Sequence, residues 1–559
     1  MKAAELLVRC LKNEGVQYIF GVPGEEIMDL LDAFRDSSLT FIPTRHEQGA
    51  AFMADVYGRL SGKAGVCLST LGPGATNLIT GVADATMDHS PVVALTGQVG
   101  LSYMHKESHQ CLDLESLFRP ITKWSAQITK AETVPEAIRK AFTIAQAEKP
   151  GATHLTLPED IARSDVAGAP LRECRSALPA VPFTGHVERA AQLIASARFP
   201  MLIAGNGVVR GKASEALVRL AEALKIPVAT TFMAKGTIPS AHPLALGVIG
   251  LPGPDEVSWR LECADVVIAV GYDLVEYAPT RWNPQRNKKV IHLDCTPAEV
   301  DAAYTVAVEV MGDLSASLSA LMVRSMPGHE GLLWTQGGGR RVALEGGEEH
   351  SFPIKPRHLL REVRRAIPGG GILISDVGAH KLWIARCYPC EQPNTCIISN
   401  GFASMGIALP GAIAAKLLFP HKKVVAVTGD GGFLMNSQEL ETAVRLELSM
   451  VTVICNDGSY GLIGWKQQAR FGRETFVKFG NPDFVQYAES FGAKGYRVES
   501  VRDLPDILHE AFAASGPVVI DCPVDYAENL TLPTPLGKVD YGEPYNLWNL
   551  SPLATPHAS

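Results

Sequence analysis

The chain has 559 residues, of which 46% are hydrophobic and 20% charged, a composition typical of a globular protein with several domains. The formal net charge is −8 and the basic residues are scattered, which disfavours nucleic acid or an anionic membrane as a partner.

No apolar run reaches the ~18 residues that span a bilayer, and residues 1–15 predict an amphipathic helix, not a signal peptide. Eleven irregularly spaced cysteines favour a reducing cytoplasm. The solitary CxxC of Cys387 and Cys390 favours free buried thiols over zinc or redox chemistry.

The chain is predicted to form three α/β domains in series. Residues 1–162 alternate helix and strand, with helices predicted at 3–14, 27–35, 48–61 and 77–87 and strands at Tyr18–Gly21, Phe41–Thr44, Gly65–Ser69 and Val92–Thr96. A second alternation covers 187–323, with strands predicted at Met201–Ala204, Val228–Thr230, Val266–Val270 and Val290–Asp294. A third covers 357–525, linkers occupy 163–186 and 324–356, and a tail at 526–559 covers the surface or closes on a site. The predicted fold class is α/β, with three doubly wound parallel-sheet domains.

Residues 424–457 predict a strand, a sharp turn, a helix and a second strand. Val424–Val427 is a β-branched run typical of a buried parallel strand, and Met450–Cys455 is a second apolar run of this kind. A helical pattern of apolar residues lies between them, with Asn436 and Glu439 placed as a capping box in front of it. Such a unit crosses over right-handed, so both loops lie at the carboxyl ends of the strands.

Both of these loops carry acids. Asp430 lies in the Gly-Asp-Gly turn after the first strand, and Asn456 and Asp457 follow the second strand 24 residues beyond that turn. Two hard oxygen ligands beside glycines and a helix start suit a Mg²⁺ ion that bridges to a diphosphate. A lone Gly-Asp-Gly would favour an ordinary acidic turn, but this interval followed by Asn-Asp is much more specific.

This stretch resembles the metal–diphosphate motif of thiamine diphosphate (ThDP) enzymes. The resemblance implies that Asp430, Asp457 and the main-chain carbonyl of Ser459 bind Mg²⁺; Asp457 stands where the family motif commonly has a second Asn. The family's domain order also resembles the order predicted here. It implies a pyrimidine-binding domain at 1–162, a central Rossmann-like domain at 187–323 and a diphosphate- and Mg²⁺-binding domain at 357–525.

A ThDP enzyme needs a buried carboxylate against N1′ of the aminopyrimidine. Glu47 lies just after a predicted strand and before an Ala-rich helix, where spacing alone favours a first-turn acid that interacts with the helix dipole. The run RHEQGAAFMADVYGR at 45–59 resembles the family's catalytic segment, which implies that Glu47 activates the cofactor. The resemblance also implies that Gln110 faces the substrate, with His109 beside it as a further candidate.

The resemblance implies a larger set of cofactor-binding residues at the strand ends. They come from a G-x-P-G turn, a loop lining the thiazolium, a diphosphate loop after residue 376, the segment 401–406 and the metal loops. Besides Glu47, Asp430, Asp457 and Ser459 they are Pro23, Gly24, Thr70, Pro73, Asn77, Val377, Gly378, Ala379, His380, Ser404, Met405, Gly429, Gly431, Gly432, Tyr460, Gly461 and Leu462. Met405 is the residue implied to wedge between the two cofactor rings; without the motif, core packing explains it equally well. Tyr460, Leu462 and Gln467 are candidates for shaping the substrate pocket.

Among ThDP enzymes the chain is most similar to acetolactate synthases, over nearly its whole length. The segments at 120–124, 439–446 and 271–277 resemble the catabolic, FAD-independent branch. At the position of 271–277, the biosynthetic members of the family carry an arginine-bearing segment that contacts FAD. Residues 230–250 resemble the FAD-containing branch, and 204–207 matches a dinucleotide loop without its full spacing. We expect ThDP and Mg²⁺ as cofactors and FAD to be absent.

The resemblance implies a carboligase that decarboxylates pyruvate on ThDP and joins the two-carbon unit to a second 2-keto acid, giving 2-acetolactate and CO₂. It also implies a cytoplasmic homodimer or homotetramer with active sites at the subunit interface. The alternatives are another ThDP-dependent 2-keto-acid decarboxylase, oxidase or carboligase, a flavin or nicotinamide oxidoreductase, and an inactive scaffold. The intact Glu47, Asp430 and Asp457 count against the scaffold.

Overall fold

In a computed structural model the chain forms three six-stranded sheets, and the structure describes residues 1–172, 180–251, 256–325, 351–367 and 369–531. The first sheet consists of β1 (Tyr18–Gly21), β2 (Thr40–Pro43), β3 (Gly65–Ser69), β4 (Val92–Gln98), β5 (Trp124–Gln127) and β6 (Ala152–Pro158). Its helices are α1 (Ala3–Asn13), α2 (Met28–Arg35), α3 (Glu47–Ser61), α4 (Pro73–Met87), α5 (Leu114–Phe118), α6 (Val134–Gln146) and α7 (Glu159–Arg163). The strand order is β2-β1-β3-β4-β6-β5.

The second sheet contains two strands that were not predicted individually, β9 and β12. Its strands are β7 (Pro200–Ala204), β8 (Val228–Thr230), β9 (Ala245–Val248), β10 (Val266–Val270), β11 (Lys289–Asp294) and β12 (Val306–Met311). Its helices are α8 (Thr184–Ala195), α9 (Asn206–Arg210), α10 (Ser214–Leu224), α11 (Glu256–Cys263) and α12 (Leu314–Arg324). The order β12-β11-β10-β7-β8-β9 is that of a dinucleotide-binding sheet, with its switch point between β7 and β10.

The third sheet repeats the strand order of the first. Its strands are β13 (Ile372–Ser375), β14 (Cys396–Ile398), β15 (Val424–Gly429), β16 (Val451–Asn456), β17 (Lys494–Arg497) and β18 (Val518–Pro523), in the order β14-β13-β15-β16-β18-β17. Its helices are α13 (Pro356–Ala366), α14 (Ala379–Cys387), α15 (Ala408–Leu418), α16 (Asp430–Asn436), α17 (Glu439–Arg445), α18 (Gly461–Phe471), α19 (Phe484–Ser490) and α20 (Asp503–Ala513). All strand pairs are parallel, as in β15 beside β16, so the predicted α/β class with three doubly wound sheets is confirmed.

The first and third sheets share one hydrophobic core, in which α3 packs against α4 and α15. A Cβ atom on Gly81 would lie 2.5 Å from the Cβ of Ala51, and one on Gly411 would lie 2.8 Å from Val56. The helices therefore approach too closely for larger side chains, which explains why α3 is rich in alanine and buried along most of its length. This packing fixes the carboxyl ends of the two sheets relative to each other.

Local expectations needed two adjustments. The helix predicted at 77–87 begins at Pro73, where proline suits the first helical turn, and the sharp turn predicted after β15 is the short helix α16. Cys387 and Cys390 are buried free thiols, as predicted, and Cys390 accepts a hydrogen bond from the Cys396 thiol. Most of the predicted linker at 324–356 and of the tail at 526–559, including its suggested covering role, lies outside the described residues. No described helix has both the length and the apolarity needed to span a membrane.

Candidate active site

The carboxyl end of β15 holds the predicted metal ligand Asp430. Asp430 is the first residue of α16 and is 1% exposed. Its carboxylate accepts the backbone N–H of Gly458 at 2.7 Å and the backbone N–H of Gly431, the next residue in the chain, at 2.8 Å. The Asn481 side-chain amide donates to the same carboxylate, also at 2.8 Å. Asp430 is therefore fixed by three donors and points into the loop that follows β16.

Asp457 faces Asp430 from that loop. Burial and, next, the charge of Asp430 raise the pKa of Asp457 to about 7, while Lys478 acts in the opposite sense. The backbone of Ser459, which is buried, hydrogen-bonds to the Asp457 carboxylate. No cluster of three or more His, Cys, Asp or Glu side chains suited to a metal occurs in the described ranges, so a cation here would have two carboxylates and main-chain oxygen. This hard, acidic donor set fits Mg²⁺.

Asn481 was not among the predicted site residues. Its amide bridges the two segments that carry the proposed metal ligands, at the carboxyl ends of β15 and β16, which we call the metal loops. It donates to Asp430 at 2.8 Å and to the side-chain oxygen of Asn456 at 3.0 Å. Its own oxygen is buried and has no hydrogen-bond partner among the described residues. The sequence signal was weak, because Asn481 comes 24 residues after Asp457, in the loop between α18 and α19.

The carboxyl end of β13 forms a narrow cradle beside the metal loops. Its predicted residues Val377, Gly378, Ala379 and His380 lead into α14, whose N-terminal backbone N–H groups suit phosphate oxygens. Burial lowers the pKa of His380 to about 4, so the ring is neutral, and its Nε2 has no hydrogen-bond partner among the described residues. A Cβ on Gly378 would lie 2.7 Å from this ring and one on Gly429 would lie 3.4 Å from it.

Glycines also shape the floor between the cradle and the metal loops. A Cβ on Gly432 would lie 2.9 Å from the Asp376 carboxylate, and one on Gly431 would lie 2.8 Å from the Tyr460 ring. The Tyr460 ring is 41% exposed and packs 4.8 Å from the Phe479 ring. The floor therefore leaves no room for side chains larger than hydrogen.

The start of α18 lies beside this floor. Gly461 is the first residue of the helix, and Leu462 after it is half-buried. Gln467, one turn further on, accepts from the Thr475 N–H at 2.8 Å and donates to the Thr475 carbonyl at 3.2 Å. The Gln467 side chain is thus occupied in holding the loop after α18.

The predicted amino-terminal half-site gathers at the carboxyl ends of β1, β2 and β3. Glu47 is 8% exposed and is the first residue of α3, and its carboxylate accepts the Asn77 amide at 3.0 Å. A Cβ on Gly74 would lie 3.2 Å from that carboxylate, and one on Gly24 would lie 2.4 Å from the Thr70 side chain. Pro23 and Pro73, also predicted, are exposed at the rim.

Gln110 lies at the same edge, next to the loop between β3 and α4. Its φ is 55°, in the left-handed region, and its Cβ would lie 2.8 Å from a Cβ placed on Gly72. Both Gln110 and His109 are exposed. The structure thus brings Gln110 beside the predicted thiazolium loop, where its side chain is exposed.

A separate cavity of about 210 Å³ lies where the three sheets meet. Arg59, His89, Asn206 and Arg210 line it, and none of the predicted site residues does. Arg59 and Arg210, which line it, are engaged with buried carboxylates.

Comparison with known proteins shows the family of enzymes to which the chain belongs. Three family models match: the thiamine pyrophosphate enzyme N-terminal TPP binding domain over residues 1–117, the central domain over 187–321 and the C-terminal TPP binding domain over 376–522. Acetolactate synthase of Bacillus subtilis is 38% identical over 552 residues, 97% of this chain and 96% of its own length. The catabolic acetolactate synthase of Raoultella terrigena is 36% identical, covering 94% of this chain and 95% of its own length.

The chain belongs to the acetolactate synthase family. It is thus a thiamine-diphosphate-dependent carboligase of the acetolactate synthase type, as the sequence motifs implied. The two TPP-binding models contain the two half-sites, with Glu47 in the first and Asp430 and Asp457 in the second. Glu47 and the glycine-lined floor therefore lie in the parts of the chain that match the family's two TPP-binding domains.

In this acetolactate synthase family member, Glu439 does not form the capping box predicted with Asn436. Asn436 donates to the Gly406 carbonyl at 2.9 Å instead. The Glu439 carboxylate is fully buried and accepts the backbone N–H groups of Arg45 at 3.1 Å and His46 at 3.0 Å, directly before Glu47. The prediction was wrong because the Glu439 carboxylate is taken up by the backbone N–H groups of the loop before α3 and by the Thr442 hydroxyl of its own helix.

Replacing Glu439 with Gln should flatten the dependence of stability on pH. Burial raises the pKa of Glu439 from its ordinary value of 4.5 to about 7, an effect that its hydrogen bonds partly offset. The folded state therefore keeps the proton of the Glu439 carboxyl group to a higher pH than the unfolded state does. The contribution of this protonation to stability is fully present below about pH 4.5 and is lost as pH rises through about 7. Glu439→Gln carries no titrating proton, so its melting temperature should fall less between pH 5 and pH 8. Thermal unfolding monitored by fluorescence measures this, with the half-exposed Glu441→Gln as control; equal slopes in all three proteins would contradict the expectation.

Proposed function

We propose that the chain condenses two pyruvates into 2-acetolactate and CO₂, using ThDP and Mg²⁺. The observation that carries this proposal is the pair of half-sites at equivalent edges of two sheets with the same strand order. One half presents the buried carboxylate of Glu47, and the other presents Asp430 and Asp457 beside a glycine-lined floor. A carboxylate to exchange a proton and a cation site for a diphosphate are the two protein features that ThDP chemistry needs.

The chain's own residues divide the binding work. Asp430, Asp457 and the Ser459 carbonyl would hold Mg²⁺, and Asn481 would orient Asp430 through its amide. The N-terminus of α14 at Ala379 would meet the diphosphate oxygens, with neutral His380 and its unpaired Nε2 available as a hydrogen-bond partner. Bound ThDP supplies the nucleophilic carbon and the electron sink for decarboxylation.

Other residues orient groups and move protons. Glu47 would share a proton with the aminopyrimidine, and Asn77 fixes the Glu47 carboxylate from the side. Half-buried Met405 would hold the two cofactor rings apart, and exposed Gln110 would meet the substrate. Pro23, Gly24, Thr70 and Pro73 would line the pyrimidine and thiazolium side of the same crevice.

The assembly we propose is a homodimer or homotetramer in which Glu47 of one subunit serves the metal site of another. In the single chain, the side-chain hydrogen-bond partner of Glu47 in the described ranges is Asn77, on the first sheet's own helix α4. Large apolar side chains are exposed beside the metal half-site: Phe402 is 44% exposed, Met435 41%, Ile463 48% and Phe476 97%. Exposed apolar clusters of this kind mark interfaces in soluble proteins.

Mixing two inactive variants tests this shared site. In a dimer of one Glu47→Gln chain and one Asp430→Asn chain, one site receives both intact halves and the other receives neither. Random subunit exchange should therefore restore about a quarter of wild-type activity, since half of the dimers are mixed and each has one intact site in two. Steady-state rates after denaturation and co-refolding measure the recovery. If each chain built its site alone, mixing would restore nothing.

We further propose that FAD is absent because Glu276 occupies the dinucleotide crevice of the second sheet. The crevice lies after β7 and β10, where this topology binds dinucleotides. There the Glu276 carboxylate accepts the backbone N–H groups of Asn206 at 2.9 Å and Asp273 at 3.2 Å and the hydroxyl of Thr231. A Cβ on Gly205 would lie 2.7 Å from the same carboxylate. The donors a diphosphate would need are thus taken by the chain itself.

We also propose 1–162, 187–323 and 357–525 as the domain bounds and the cytoplasm as the location. Each proposed range encloses one complete sheet. Every described cysteine is a free thiol, which suits a reducing compartment.

The experiment that tests the function incubates the purified chain with pyruvate, Mg²⁺ and ThDP, without added FAD. We expect a product that acid converts to acetoin, as acetolactate does, and no flavin absorbance in the protein. Acetaldehyde as the main product would identify a decarboxylase and acetate an oxidase, and either would contradict the proposal. A flavin spectrum would contradict the assignment of Glu276.

A further inference from the structure

The segment that carries Met405 has no regular secondary structure of its own. It runs from Ser399, after β14, to Ile407, before α15, and crosses the carboxyl edge of the third sheet. Its far end is fixed within that sheet, since buried Asp376 accepts the N–H groups of Gly406 at 2.9 Å and Ala408 at 3.2 Å. At the near end, no carboxylate from the described residues of the third sheet or its helices accepts the backbone N–H groups in this way.

Two carboxylates at the C-terminal end of α4, in the first sheet's layer, hold the near end instead: Asp84 in the last turn and Asp88 just after the helix. Asp84 accepts the Ser399 hydroxyl at 2.8 Å and the Ser404 N–H at 3.3 Å. Asp88, one turn later, accepts the N–H groups of Asn400 at 3.1 Å and of the following glycine. Both carboxylates are buried, and their bonds end one residue before Met405.

A single guanidinium orients these carboxylates. Arg59, on α3, lies 2.8 Å from each of Asp55, Asp84 and Asp88, and all four side chains are at least nine-tenths buried. Burial, and then the neighbouring carboxylates, raise the pKa of Asp84 well above its ordinary range. Lys381 adds a second cation, donating to the Ser399 carbonyl at 2.8 Å.

This cluster is an inefficient way to stabilise a core, because burying several charges is often no better than apolar packing. The cluster does, however, constrain a strained backbone. Ala403 has φ of 56°, in the left-handed region that a residue with a Cβ rarely adopts, and it lies between the last two anchored residues, Gly401 and Ser404. Such conformations persist where surrounding contacts over-determine them, and they occur at functional sites.

We propose that Asp84 and Asp88 are positioning residues that set the location of Met405 against the bound cofactor. The inference rests on the proposed function, because it takes Met405 as the residue that separates the cofactor rings. It adds that the position of Met405 is set from the first sheet's layer of the same chain, through hydrogen bonds to the segment's backbone. Asp55 provides a matched control, since it bonds to Arg59 and Asp84 but has no contact with the segment among the described residues.

The first test compares Asp88→Asn with Asp55→Asn in the full-length holoenzyme. Both changes remove one carboxylate from Arg59, but only the first withdraws an acceptor from the segment. Asp88→Asn should lower kcat for acetolactate formation by about 10- to 100-fold, the cost of a small misplacement of a reacting group. Its Kd for ThDP should stay within about threefold of wild type, and the near-ultraviolet circular dichroism of the bound cofactor should change. Equal kcat values for the two variants would overturn the proposal.

The second test is a double-mutant cycle with Met405→Ala. If Asp88 acts through Met405, adding Asp88→Asn to Met405→Ala should lower kcat no further. Fully multiplicative effects would show that Asp88 acts by another route and would overturn the proposal. Should Asp88→Asn fail to fold, Ser399→Ala removes one donor to Asp84 and leaves all charges in place; it should lower kcat by about threefold or more, and an unchanged kcat would overturn the proposal. Failure of the proposed function is distinct, since the wild-type chain itself would then form no acetolactate.

Discussion

Glu47→Gln should lower kcat for acetolactate formation by about 10²- to 10⁴-fold, the range expected when a general acid–base group is lost. Gln keeps the volume of the side chain and can still accept the Asn77 amide, but it cannot exchange a proton with the aminopyrimidine. The metal half-site is untouched, so the Kd for ThDP should change little. Steady-state kinetics and calorimetric titration of ThDP in the presence of Mg²⁺ measure the two quantities.

A matched variant separates this role from that of an ordinary first-turn acid. Glu136 is an exposed acid in the first turn of α6, which packs against β4 and β6 of the same sheet. Loss of such an acid costs about 0.3–1 kcal/mol of helix stability through the macrodipole. Glu136→Gln should therefore keep full activity. If Glu47→Gln were equally active, Glu47 would be a helix-end acid and the carboligase mechanism proposed here would be refuted.

Asp430→Asn should abolish activity by removing the cation and, with it, the cofactor. The carboxylate is 1% exposed and faces Asp457 across the proposed Mg²⁺ site. We expect the Kd for Mg²⁺ to rise by at least about 100-fold. Mutating a residue that only hydrogen-bonds to a metal ligand already lowers metal affinity by about 10- to 100-fold, and Asp430 is itself a proposed ligand. Thermal unfolding provides a readout without turnover: Mg²⁺ with ThDP should raise the melting temperature of the wild type but not of this variant.

Asp457→Asn is the control, with the same chemical change at the facing residue. It gives the Asn-Asn pair common in ThDP enzymes, and Asp430 still supplies its carboxylate, so it should retain Mg²⁺ and ThDP binding. It also removes the carboxylate that opposes Asp430, which should raise the stability of the metal-free protein. If both variants bound Mg²⁺ like the wild type, the cation would lie elsewhere and the assignment of both aspartates would be wrong.

The order of elements and the ends of the strands followed from local patterns. Val424–Val427 lies within β15, Val266–Val270 is β10, and the Gly-Asp-Gly turn with its Asn-Asp partner lies at adjacent strand ends, as the spacing predicted. Parallel strands place their carboxyl ends at one edge, so residues at these ends can be located from the sequence without knowing the packing. The family resemblance rests on the same local segments.

Contacts between distant segments of the chain could not be predicted from local sequence patterns. Glu439 is 394 residues from Arg45, and its capping box was predicted wrongly because only the packing of α17 against the start of α3 brings the Arg45 N–H to it. Asn481 reaches Asp430, and Asp88 reaches Asn400 across 312 residues, through the arrangement of whole sheets. Glu276 fills the crevice of the second sheet only because β7 and β10 are neighbours there. The sequence by itself determined which groups stand at the strand ends, because that depends on chain neighbours; the tertiary structure decided which buried donors and acceptors meet, because that depends on how the layers pack.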